Sequence, residues 1–177
     1  MKWELLNAEE ILRCHVFSLW RHRSRSPRNG TVHDFDVIQA ADWVNVVPVT
    51  CAGEVVMVRQ FRHAVAMVTL ETPGGIIDPH DGAPAVAAAR ELREETGYQA
   101  GELVPLGTIH PNPATHTNRC HIFLAPNVRL AGAPQWDATE DLEVRLVPQS
   151  EVDALISSGE ITHAIAVVAL LLARVRW

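Results

Sequence analysis

Cysteine is scarce: only Cys14, Cys51 and Cys120 occur in 177 residues, an odd number, far apart and without a Cys-x-x-Cys pair. Neither a disulfide framework nor a zinc knuckle is expected, and a reducing cytoplasm is the simplest compartment. No long apolar run exists either; residues 164–173 form the longest, well below the roughly 20 residues a membrane-crossing helix needs. That run is expected to be a buried helix, with a subunit contact as a further use, and no membrane partner is expected. The first ten residues contain Glu4, Glu9 and Glu10 and no continuous apolar stretch, so they do not read as a signal peptide. Net basic charge is missing as well. The 15 Lys and Arg against 21 Asp and Glu give a formal −6, whereas nucleic-acid binding normally needs a net basic surface. Nucleic acid is therefore not expected as a partner, while a small anion stays compatible if positive charge or metal is concentrated locally.

What is present belongs to a globular chain, 47% apolar and 20% charged, whose length suits one domain with a real core. The basic stretch 21–30 ends in Asn29-Gly30 and reads as a solvated hairpin loop, its arginines as phosphate grips being the alternative. Residues 32–39, 43–50 and 54–62 are rich in β-branched and aromatic side chains and read as three successive strands, followed by a short one at 67–71. Thr72-Pro73-Gly74-Gly75 reads as a tight loop without regular structure, prolonged by Asp78-Pro79-His80-Asp81-Gly82. From Pro84 in a first turn through 85–96, nearly every residue is a strong helix former, and Gly97 stands where a left-handed cap ends a helix. Residues 103–109, 121–125 and 142–147 predict strands, and 151–157 and 163–174 predict helices. Strands mixed with segregated helices give an α+β or layered α/β/α domain.

On a helix, residues three and four apart share a face, so Glu91, Glu94 and Glu95 form an acidic cluster one turn long. Like charges so close repel, and the cluster calls for something positive. Hard oxygen donors of this kind suit Mg2+, with Mn2+ as a substitute, and Mg2+ binds through one or two carboxylates, several waters and substrate phosphates. A phosphorylated ligand is therefore predicted. Gly74 and Gly75 let backbone approach an ion or phosphate closely. Arg90, four residues before Glu94, is placed to pair with a carboxylate and fix its orientation.

Gly75, Asp81, Arg90-Glu91-Leu92, Glu94-Glu95, Gly97 and the apolar Tyr98 together resemble the Nudix box. In that pattern a glycine and five residues precede a glutamate; seven residues later come Arg-Glu, an apolar residue, any residue, Glu-Glu, any residue, Gly and an apolar residue. This sequence departs twice: Asp81 stands at the glutamate, and eight residues separate it from Arg90. The resemblance implies a Nudix-type α/β/α sandwich with a mixed β-sheet. It implies metal held by Glu91, Glu94 and Glu95 with the Gly74 carbonyl, catalytic parts for Glu94 and Glu95, and structural parts for Gly75, Asp81, Arg90 and Gly97. The implied reaction is metal-dependent hydrolysis, by water, of the diphosphate in a nucleoside diphosphate compound.

Beyond the box, residues 46–62, the approach Leu70-Glu71-Thr72-Pro73-Gly74-Gly75 and the C-terminal half resemble the ADP-ribose and nucleoside diphosphate sugar pyrophosphatase branch. That resemblance implies one domain over 1–177, with an additional N-terminal β segment (1–44) contributing to a homodimer and a core over 45–177. Arg62 matches an arginine that contacts phosphates, and Glu71 joins it in the expected substrate set. The polar loop 111–119, stiffened by two prolines, suits a specificity wall on which Asn112 is expected to touch substrate. Trp43 is expected against the base; core or interface filling is its alternative, as for Trp136. The acidic loop 137–143 reads either as plain surface or, by resemblance, as the carrier of a mobile catalytic base, with Glu140 the best match. His110, His116 and His121 fit no compact zinc pattern, and His163 reads as a capping or packing residue. Two other readings are a sanitising hydrolase of nucleoside triphosphates and a non-catalytic nucleotide sensor, a class that usually lacks the helix glutamates.

Overall fold

The computed structural model describes residues 1–136 and 141–176. Spatial proximity divides them into two compact units, one of 1–42 with 110–119 and one of 43–109 with the chain from 120 onward. In the first, β1 (Glu4–Arg13), β2 (Phe17–Arg25) and β3 (Val32–Ala40) form an antiparallel sheet in chain order. The expected loop over 21–30 is thereby corrected, because Arg21 to Arg25 belong to β2 and only the residues after it turn, closed by the Ser26 amide on the Thr31 carbonyl at 2.8 Å. The cause is an alternation of charge. Arg21 and Arg23 oppose Asp36 and Asp34 across the ladder, at 3.2 and 4.0 Å, and Arg25 reaches Glu4 of β1 at 2.8 Å. Opposite charges in facing positions favour a strand where composition alone suggests a turn. Within the same unit the segment 110–119 is stitched to β3: the Ile38 amide donates to the Thr115 carbonyl (2.7 Å) and the Thr117 amide to the Ile38 carbonyl (3.0 Å).

The second unit is built on an eight-stranded sheet. Its strands are β4 (Trp43–Thr50), β5 (Glu54–Arg62), β6 (Met67–Glu71), β7 (Gly74–Ile76), β8 (Tyr98–Gln99), β9 (Val104–Ile109), β10 (Cys120–Leu130) and β11 (Leu142–Pro148). The order is β11-β5-β4-β10-β8, with β6 on β5, β7 on β4 and β9 on β10; β4 and β10 run parallel and the other described pairs antiparallel, so the sheet is mixed. Side chains alternate between its faces, as the twofold period of a strand requires. Val44, Val46, Val56 and Phe123 pack with Ala87, Ala88 and Leu92 of α1 (Pro84–Thr96). Their neighbours Val47, Val49, Met57, Ile122 and Leu124 pack on the opposite side with Ala166, Ala169, Leu170 and Ala173 of α3 (Ala164–Arg174). The result is an α/β/α sandwich, and the runs of consecutive apolar residues at 46–49 and 55–58 are what burial on both faces demands. The longest apolar run is thus a helix packed on the sheet, and among the described residues no helix is long and apolar enough to cross a membrane.

Three further expectations need adjustment. Gly74 and Gly75 are not irregular: with Ile76 they pair antiparallel to Asn45, Val44 and Trp43. Glycine lacks the side chain that would block this approach, since a Cβ at Gly74 would lie 2.3 Å from the Val44 carbonyl oxygen. The strand predicted over 121–125 continues to Leu130, and the helix predicted over 151–157 opens with a 3-10 turn at Gln149–Glu151 before α2 (Val152–Ser157).

Candidate active site

Helix α1 presents the glutamates. Its start is fixed by Pro84, and its end by Gly97, whose φ of 74° only glycine adopts without strain and whose amide closes on the Arg93 carbonyl at 2.9 Å. Glu91 and Glu95 are buried (8% and 5% exposed), Glu94 less so. Burying carboxylates requires compensation, and Arg90 supplies much of it. Its Nε and Nη2 grip both oxygens of Asp81 at 2.9 Å, its Nη1 donates to Glu91 Oε1 and Glu94 Oε2 at 2.9 Å, and Nη2 also reaches the Ile76 carbonyl at 3.1 Å. All five guanidinium N–H donors are committed. Hydrogen bonding to Asp81 foremost, then the Glu91 and Glu94 charges, raises the Arg90 pKa against the cost of burial, so it stays charged throughout the working range. Reciprocally, Arg90 holds the Asp81 carboxyl below the usual carboxylate value, aided by the Asp78 amide.

Strand β7 and α1 meet through two contacts. The Gly74 amide donates to Glu95 Oε2 at 3.1 Å, and the space where a Gly75 Cβ would stand, 2.5 Å from Glu91 Oε1, is left to the Glu91 carboxylate. Asn45 and Thr72 fix the approach to that strand with a buried reciprocal pair: Asn45 Nδ2 donates to the Thr72 carbonyl (3.1 Å) and the Thr72 hydroxyl to Asn45 Oδ1 (2.7 Å). Among the described residues no three His, Cys, Asp or Glu already converge on one ion position. Glu91 and Glu94 are drawn to Arg90, and Glu95 to the Gly74 amide. The donor set, hard carboxylate oxygens beside a glycine cradle, still fits Mg2+, which takes one or two protein carboxylates and completes its shell with water and phosphate.

A second polar cluster lies on β5 and β6. Arg62 grips buried Glu71 (2% exposed) through Nε and Nη2 at 2.8 and 2.7 Å, and the Thr69 hydroxyl donates to the same carboxylate. Burial pushes the Glu71 carboxyl up, but these hydrogen bonds outweigh it and hold the group below its usual value. The Arg62 side chain remains 42% exposed, and its charge is favoured first by Glu71 and further by Glu95, which ties it electrostatically to the glutamate helix.

Of the other expected site residues, Trp43 opens β4 opposite Ile76 and Cys120 and packs partly buried against the core. Asn112 lies in the unit built on β1 to β3, its carbonyl accepting from the Thr115 and His116 amides at 3.1 and 2.8 Å. Glu140 lies outside the described residues. Two residues have partners that sequence reasoning did not name. Trp136 donates from its indole to the Glu95 carbonyl at 2.9 Å, next to the Gln135 amide on the Glu94 carbonyl at 2.8 Å, so the segment leading to 137 caps the end of α1. His163, at the N-cap of α3, does not cap with its ring; its Nδ1 stands 3.0 Å from Glu71 Oε2. Neither partner is local in sequence, so no motif signals them.

The NUDIX domain family matches residues 39–166. The chain is 30% identical to the ADP-ribose pyrophosphatase of Mycobacterium tuberculosis over 170 residues, 96% of this chain and 82% of that protein. It is 30% identical to the ADP-ribose pyrophosphatase of Bacillus subtilis over 157 residues, 88% of this chain and 84% of that one. Among solved structures, a crystal structure of an ADP compounds hydrolase superposes with a TM-score of 0.85 at 23% identity, covering 98% of this chain and 93% of that chain, a likeness of fold.

Proposed function

Because the chain belongs to the NUDIX domain family and is a hydrolase of that family, we propose that it cleaves the diphosphate of ADP-ribose or a related nucleoside diphosphate sugar, releasing nucleoside monophosphate and sugar phosphate in a divalent-metal-dependent reaction. The observation that carries this reading is the closure of β7 on the glutamate helix, with the Gly74 amide on Glu95 and the Gly75 gap beside Glu91. The substrate class is supported by the names of the two relatives aligned over most of their length.

Glu91, Glu94 and Glu95, with Gly74, would hold Mg2+, or Mn2+ in its place. When bound there, the ion supplies positive charge against the diphosphate and acidifies the attacking water. Asp81 fixes Arg90, and Arg90 fixes the orientation of Glu91 and Glu94, so the carboxylates are arranged before substrate arrives. Arg62, with three N–H donors left over from its grip on Glu71, binds phosphate oxygens, and Trp43 contacts the remainder of the substrate. Water attacks one phosphorus, its proton passes to Glu140, and the bridging oxygen departs with the other phosphate. A base on a loop can come within reach after substrate closes the site.

The proposal extends to a homodimer in which the N-terminal β segment, residues 1–44, joins two copies of the core over 45–177. The first unit supports it with exposed apolar side chains, among them Trp3, Leu5, Leu12 and Phe35. A cytoplasmic setting agrees with a cysteine content of three, odd in number and far apart in sequence. The direct test of the site is Glu95→Gln. With ADP-ribose and Mg2+ it should lower turnover by more than about a hundredfold, beyond what outer partners of a metal usually contribute, while circular dichroism and melting stay close to wild type. An unchanged rate would reject the metal role of Glu95.

A further inference from the structure

His163 is left unexplained by its position as a helix cap. The backbone carbonyl does the capping, accepting the Val167 amide at 3.0 Å, and the ring is turned instead toward Glu71. Its Nδ1 is buried and 3.0 Å from Glu71 Oε2, close enough to bond but outside hydrogen-bond angles, so it counts as an orphaned polar atom. A carboxylate offers about four lone-pair positions. In Glu71, Oε1 accepts Arg62 Nε and the Thr69 hydroxyl, and Oε2 accepts Arg62 Nη2, which leaves one position, on the oxygen that His163 faces. A small rotation of a neutral ring carrying its proton on Nδ1 fills it. The neutral form is favoured: burial lowers the His163 pKa, Glu71 opposes this and Arg62 reinforces it.

We propose that His163 is a positioning residue that, through Glu71, fixes the guanidinium of Arg62 in the orientation that receives the substrate's diphosphate. The inference rests on the assignment of Arg62 to phosphate binding made above. Arg62 is half exposed and its guanidinium bonds to Glu71 alone among the described residues, so the direction of its unused donors follows the carboxylate. Thr69 holds one oxygen of that carboxylate, and His163, once its ring rotates, secures the other. Two residues distant in sequence thereby define one binding direction.

The test compares His163→Ala, His163→Asn and His163→Gln, alone and with Arg62→Ala. Asn places its amide nitrogen where Nδ1 stands, whereas Gln carries it too far along the side chain. His163→Ala should raise KM for ADP-ribose about tenfold, the lower end of what outer partners contribute, with kcat changed less than about twofold. His163→Asn should restore most of the loss and His163→Gln should not. In an Arg62→Ala background, His163→Ala should add nothing, since residues acting through one another are not additive. An unchanged KM in His163→Ala, equal rescue by Gln, or KM losses that multiply in the double variant would each overturn the proposal. The side-chain Nε–H resonance of Arg62, read by nitrogen NMR without substrate, separates this inference from the substrate assignment. It should broaden in His163→Ala and sharpen again in His163→Asn whether or not ADP-ribose is turned over, and identical spectra in all four proteins would contradict the positioning role.

Discussion

Asp81 and Arg90 form the contact on which the acidic helix depends. Three carboxylates share one guanidinium, so removing any of them redistributes charge over the others. The shorter acid and longer spacer that separate this sequence from the Nudix pattern are reconciled by local backbone geometry. Gly82 adopts a φ of 71° and the Ala83 amide turns back on the Asp81 carbonyl at 2.8 Å, so the chain reverses directly into the Pro84 turn. Asp81→Asn should weaken hydrolysis by about ten- to a hundredfold, as loss of an orienting partner usually does. The same variant carries a pH signature. Because the native Asp81 pKa is depressed, the unfolded chain takes up the proton first on acidification. The stabilisation is therefore complete above the ordinary value of about 3.9 and is lost as pH falls through the native value. Thermal melts from pH 3 to pH 7 should show a smaller acid loss for Asp81→Asn than for wild type; parallel curves would argue against the linkage. The glutamates were legible from spacing alone. Arg62, Glu71 and His163 were legible only in part, since resemblance singles out the first two while the ring beside them comes from another element.

At the scale of elements, α1 was the most readable part of the chain because its determinants are local: Pro84 at the start, helix formers throughout and Gly97 at the end. What caps its last carbonyls was not readable, since Gln135 and Trp136 arrive from a distant segment. The same segment explains why Gly97 has a second constraint, as a Cβ there would stand 2.2 Å from the Gly132 carbonyl oxygen. Gly97→Ala should therefore destabilise the protein by about 1–3 kcal/mol and lower Tm by several degrees, measured by calorimetry, with turnover falling as the end of α1 shifts. An unaltered Tm would mean that the segment yields freely. Strand β7 shows the opposite failure of reading. Proline and paired glycines suggest a loop, yet glycine also permits the closest approach of backbone, and β4 offers Val44 and Asn45 for pairing. Likewise the arginines of β2 look like a turn until Asp34 and Asp36 are counted as their cross-strand partners.

For the molecule as a whole, the sandwich was predictable from apolar strands and two strongly patterned helices, whereas the place of residues 110–119 beside β3 was not, because they join it only through contacts distant in sequence. The first unit leaves Trp3 against Phe35, ring centroids 5.3 Å apart, on an exposed sheet surface. Sedimentation should find a homodimer, and Phe35→Glu should shift it toward monomer; a wild type monomeric at all concentrations would remove the proposed subunit contact. The claim that joins these scales is that the glutamate helix and its glycine cradle hydrolyse a nucleoside diphosphate sugar with a divalent metal. It is tested most directly by incubating the wild-type protein with ADP-ribose and Mg2+ and separating the products by chromatography. AMP and ribose 5-phosphate should appear in equal amounts and cease to form when EDTA is added. No AMP from ADP-ribose, or a rate undiminished by EDTA, would contradict the account.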